Sequence, residues 1–200
     1  MRTILCWTSQ LANRARNRLY NWRAMNQITR YLSAAMIAVA WSSPALSEPA
    51  VWQHHQAAIR YFARGTSYSC GGIEDKVRQM LLYTGARKDL DVRATGCDQG
   101  PFLPSHAASV NLDFYSLVPA DAAAADSVPG QWMTLSMTPA RSRFLQPSDC
   151  DLVRAMKSVL TTSFSWQGLD FGASCFPYAG AANSFAVKGA VLKPATGKSD

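Results

Sequence analysis

Cysteine placement constrains this chain more than any other feature. Cys70 and Cys97 stand 27 positions apart, and Cys150 and Cys175 stand 25 apart. Each pair brackets the same succession of signals. A helix-like stretch follows the first cysteine. Then comes Leu90-Asp91-Val92-Arg93-Ala94-Thr95-Gly96-Cys97 in one case and Leu169-Asp170-Phe171-Gly172-Ala173-Ser174-Cys175 in the other. Past each second cysteine an apolar run closes on Pro-Ala, at Pro119-Ala120 and at Pro194-Ala195. Self-similarity of this kind marks a duplicated supersecondary unit. Four cysteines allow three connectivities. The shared frame favours Cys70–Cys97 and Cys150–Cys175, each internal to one half. A disulfide closing a loop of that length stabilises by roughly 3–4 kcal/mol in the chain-entropy model. The cysteines form no C-x-x-C pair and no zinc-ribbon spacing, so no metal site is expected.

Periodicity fills in the frame. Ile73, Val77, Met80 and Leu81 fall at i, i+4, i+7 and i+8, and Leu152, Met156, Val159 and Leu160 repeat the spacing. Each set places four apolar side chains on one helix face. Ser148 followed by Asp151 resembles a capping box, and Gly85 a C-terminal stop. Alternation marks strands at Leu90–Ala94, Val110–Phe114 and Leu169–Ala173. Further strands are expected at Ala57–Ala63, Gln131–Met137 and Ser184–Leu192, with a turn-rich loop over Ala120–Gly130. The predicted fold is α+β. Two βαββ repeats, about 52–119 and 131–193, form a mostly antiparallel sheet with two helices on one face, stapled by the disulfides. Glu48–Gln53 reads as a frayed end, and 194–200 as a flexible tail after a single domain over 48–193.

Charge separates the first 47 residues from the rest. The chain carries Lys+Arg 20 and Asp+Glu 13, a net charge of +7. Residues 1–47 hold Arg2, Arg14, Arg16, Arg18, Arg23 and Arg30 and no acid; without those six, 14 basic groups face 13 acidic ones. The excess charge therefore belongs to the leading segment, and the remainder has no basic face suited to nucleic acid. The apolar run Tyr31–Trp41 follows Arg30, then Ser42-Ser43-Pro44 and Ala45-Leu46-Ser47. As a helix that run spans about 16 Å against roughly 30 Å of hydrocarbon, too short for a stable membrane span. Ala45 and Ser47 suit the −3 and −1 positions of a cleavage site. Residues 1–47 are thus read as a secretory signal region cut after Ser47, with Met25 as an alternative start. A periplasmic or secreted destination agrees with four retained cysteines, Cys6 leaving with the signal.

One stretch suggests enzyme chemistry. Tyr68-Ser69-Cys70-Gly71-Gly72 resembles the Cys-Ser-Gly start of the catalytic helix in the NlpC-type cell-wall peptidases. That resemblance implies Cys70 as a nucleophile with a histidine base, taken from His54, His55 or His106. Against it, Cys150 holds the equivalent place in the second half, as a structural disulfide requires. His54-His55 reads as a solvated pair. Asp89, Asp91 and Asp98 could form an acid cluster, yet Asp91 and its counterpart Asp170 fall at outward strand positions. Gly65-Thr66-Ser67-Tyr68-Ser69 lacks the second glycine of a nucleophile elbow, and Gly71-Gly72 is too short to cradle a phosphate. Trp52, Trp132, Trp166, Phe102, Tyr115 and Phe176 supply aromatic surface. No catalytic, cofactor or metal residue is assigned. The expected function is a non-catalytic binding or assembly module of the envelope, using the sheet face or the groove between the halves to hold a protein, peptide or glycan. A cysteine-dependent cell-wall hydrolase acting through Cys70 is the alternative.

Overall fold

The computed structural model describes residues 47–62, 68–97, 107–121, 124–176 and 182–195. In chain order the elements are β1 (Glu48–Phe62), α1 (Cys70–Thr84), β2 (Asp91–Thr95), β3 (Ala107–Pro119), β4 (Val128–Met137), α2 (Cys150–Ala155), α3 (Lys157–Thr162), β5 (Trp166–Ser174) and β6 (Ser184–Pro194). The strands form one six-stranded sheet in the order β2-β3-β1-β4-β6-β5. Every neighbouring pair is antiparallel.

Alternation decides which side of each strand is buried. Along β1 and β3 the paired residues Ile59↔Val110, Ala57↔Leu112 and His55↔Phe114 turn to the helices, and β2 adds Val92 and Ala94 to the same side. In β4 and β6 the corresponding residues are Leu135, Met137, Val187 and Val191. Ile73, Val77, Met80 and Leu81 of α1 and Leu152, Met156, Val159 and Leu160 of α2 and α3 meet them in one continuous core. A smaller cluster of Ala50, Leu117 and Leu192, flanked by Trp52, Val128 and Trp132, lies where β1 meets β4. Cys70 is bonded to Cys97 and Cys150 to Cys175.

Several boundaries differ from the sequence expectation. The first strand begins at Glu48, where a frayed end was expected, because Glu48, Pro49 and Ala50 pair with Gly130, Pro129 and Val128. The last strand runs to Pro194, and the Ala195 N–H donates to the Pro129 carbonyl at 2.8 Å, so the chain is held to that point. Residues 196–200 lie outside the described residues. The second helix is two segments joined at Met156 (ψ −6°). It is entered through a 3-10 turn over Pro147–Asp149. The Ser148–Asp151 capping box gives way to Asp149, whose Oδ2 accepts from the Gln146 N–H at 2.7 Å. With Pro147 at the head of the turn, the cap lies at Gln146, two residues upstream of Ser148.

Candidate functional site

Ser69 caps α1, its Oγ accepting the Gly72 N–H at 3.1 Å. Cys70, the next residue, has its sulfur in the disulfide to Cys97 rather than as a thiol. The strand register places this corner far from His54 and His55. Thr95, two residues before Cys97, pairs with Ser109, and Ser109 pairs with Arg60. His55 lies five residues back along β1 from Arg60, about 17 Å at strand rise. His106 and Asp98 lie outside the described residues.

His54 and His55 are not an equivalent solvated pair. On a strand, consecutive side chains point to opposite faces. His54 is exposed, with Nε2 2.8 Å from Asp113 Oδ1. His55 is half-buried, its ring stacked on Phe114 and its Nε2 2.9 Å from Ser116 Oγ. A serine beside a histidine invites a nucleophile–base reading, which the proton directions refuse. Ser116 is 0% exposed. Its single hydroxyl proton goes to the Ser163 carbonyl at 2.5 Å, so its oxygen must accept from His55 Nε2–H. A base would have to take that proton, not give one. Burial, and then the neighbouring His54, hold the His55 pKa below its ordinary value.

A surface suited to a ligand lies on the opposite side of the sheet. Three rows of directly paired residues cross β1, β3 and β2: Gln56–Asp113–Asp91, Ala58–Asn111–Arg93 and Arg60–Ser109–Thr95. They line two adjoining concavities of about 440 and 330 Å³. Asp113 accepts from Gln56 Nε2 at 2.9 Å as well as meeting His54. Those two hydrogen bonds draw its pKa below the ordinary carboxylate value. Above the rows, Arg87 lies 3.9 Å over the Tyr115 ring and holds Asp89 through Nε at 2.7 Å and Nη2 at 2.6 Å. This pairing holds the Asp89 pKa down too. Asp91 pairs with Arg93 at 2.8 Å. Asp89 and Asp91 thus each hold an arginine of their own and do not combine as an acid cluster.

Family models, curated proteins and solved structures give no match to this chain.

The remaining candidates are structural. Trp166 donates to the Leu160 carbonyl at 2.7 Å and Trp132 to Glu48 Oε2 at 2.6 Å. Phe176 is exposed, and Phe102 lies outside the described residues. A buried carboxylate, Asp149, is 1% exposed. It accepts from the Tyr68 hydroxyl, from Lys76 Nζ at 2.8 Å and from the Gln146 N–H at 2.7 Å. Burial and this hydrogen bond push the Tyr68 pKa far up. Every partner of Asp149 is a donor, so the group is fully satisfied and ties α1 to the start of α2. Among the described residues no three His, Cys, Asp or Glu side chains gather to hold a metal ion, and no helix is long and apolar enough to cross a membrane. Sequence reasoning missed Gln56, Arg87, Arg93, Asn111 and Asp113, since only strand register brings residues 57 positions apart, such as Gln56 and Asp113, together.

Proposed function

We propose that this chain is an exported envelope protein made of two βαββ units, and that it serves as a non-catalytic binding module through the open face of its sheet. The sheet order supports the two units. Exchanging β1 with β4, β2 with β5 and β3 with β6 turns β2-β3-β1-β4-β6-β5 into its own reverse. Export is supported by two disulfides, which persist in oxidising compartments. The compact unit also begins at Ser47 and its first strand at Glu48, beside the expected cleavage position.

The observation that carries the binding reading is the row-by-row display of hydrogen-bonding side chains over a concave half-sheet. The hydrolase alternative needs a reduced Cys70 with a histidine within about 3–4 Å; the disulfide weighs against it, and the strand register weighs against His54 and His55 as its base. The test is affinity capture from an envelope extract with the exported protein and with Asn111→Arg, whose longer side chain fills the trough. Loss of a captured partner, with an unchanged circular dichroism spectrum, supports the reading. Peptidoglycan cleavage that Cys70→Ser abolishes would overturn it. Intact mass of the exported protein checks the start at Glu48.

A further inference from the structure

We infer that the open face of the β2-β3-β1 half-sheet takes an uncharged glycan laid along the strands; this rests on the sheet-face reading above. The two concavities follow one another along the same three strands, so the surface is a trough rather than a pit. Ala58 keeps its centre low, and Asn111, Gln56, Ser109 and Thr95 offer both donors and acceptors. A sugar hydroxyl is itself a donor and an acceptor, so it needs neighbours of both kinds. Phe62, 61% exposed, stands at one end of the face. Its ring supplies an apolar face for the C–H side of a sugar ring.

Charge narrows the ligand. The carboxylates of the trough are already engaged, Asp91 by Arg93 and Asp113 by His54 and Gln56. Among the described residues Arg60 is the one cation of the trough without a carboxylate. Such a face has no extended field of one sign to draw in a polyanion or polycation. A protein partner fits it poorly as well. Interface cores are depleted of charged residues, and here Asp91, Arg93 and Asp113 line the larger concavity.

The test is isothermal titration of the exported protein with neutral hexasaccharides, taken singly: a β-1,4-glucan, an α-1,4-glucan and a β-1,4-linked N-acetylglucosamine chain. At least one should bind with a millimolar or tighter Kd. Gln56→Ala and Asn111→Ala should each weaken it about 3- to 10-fold, the worth of a lost hydrogen bond. Lys188→Ala, on β6, should leave it unchanged. Raising salt from about 50 to about 500 mM should move Kd less than about twofold, because no net charge is being screened. No binding by any of the three overturns the glycan assignment, while the capture sensitive to Asn111→Arg would still uphold the sheet-face reading. Binding that ignores both trough substitutions overturns the placement on this face. A steep fall in affinity with salt overturns the uncharged ligand.

Discussion

His55 and Asp149 show what single buried polar groups do here. His55 donates to Ser116 and is held neutral by burial, its pKa below the ordinary 6.5. A histidine whose pKa is lowered on folding binds fewer protons than the unfolded chain. Its contribution to stability is present above pH 6.5 and is lost as pH falls from there toward the lower folded value. His55→Gln should therefore flatten the fall of Tm below pH 6.5, at a price of about 1 kcal/mol at neutral pH for the weaker hydrogen bond. Thermal melts from acid to neutral pH check this, and an unchanged slope would exclude His55 as its source. Asp149 is the stronger case. Asp149→Ala leaves the Tyr68 hydroxyl without its acceptor and Lys76 with only the Phe144 carbonyl at 3.1 Å, and the Lys76 side chain is only 23% exposed. The expected loss is about 3 kcal/mol, at the lower end of the range for breaking a buried pair because Lys76 still reaches water. Urea unfolding of Asp149→Ala and of the Asp149→Ala, Lys76→Met double variant measures it. The double variant should lose less, since it removes the lysine charge along with its partner.

At the scale of elements, α1 ends as its sequence requires. Gly85 has φ 117°, its N–H bonds to the Leu81 and Leu82 carbonyls, and Ala86 closes a second bond to Leu81 at 2.9 Å. This is a Schellman-type stop. Gly85→Ala places an L-residue in the left-handed region and sets its Cβ 3.1 Å from Lys193 Cγ. A loss of about 1–2 kcal/mol is expected by denaturant titration; a stabilised variant would mean that the turn relaxes. This helix was legible because its apolar stripe and its glycine stop agree. The second helix was legible as a stripe, but its interruption at Met156 was not, since a buried methionine gives no local signal for a break. In β1 the buried side changes partway along. Ala50 and Trp52 pack where the strands of the two halves join, whereas Ala57, Ile59 and Tyr61 face the helices. Those two sets have opposite parity, so no single alternation spans the strand, and its first six residues, Glu48–Gln53, read as an end. The trough was illegible for a related reason. Gln56, Asn111 and Arg93 look like ordinary solvent-facing strand residues until register sets them in rows.

At the scale of the molecule, the two disulfides and the single core make separable demands. The loop closed by Cys70–Cys97 ends before the loop closed by Cys150–Cys175 begins. In the unfolded chain the two constraints are therefore independent, and each should be worth about 3–4 kcal/mol. The folded state is not divided that way. Ile73 and Val77 of α1, Leu152 and Met156 of the second helical stretch, and helix-facing residues from β1 to β4 and β6 belong to one buried cluster. The β1–β4 ladder, Glu48↔Gly130 to Ala50↔Val128, continues the sheet across the join. Paired Cys→Ala variants should accordingly lose similar stability from either disulfide. The quadruple variant should lose about the sum, since the two closed loops do not overlap in the unfolded chain. Every variant that still folds should unfold in one transition, with tryptophan fluorescence and far-UV circular dichroism coinciding. Two resolved transitions in the Cys150→Ala, Cys175→Ala variant would mean that the halves are independently stable and that the shared core does not couple them.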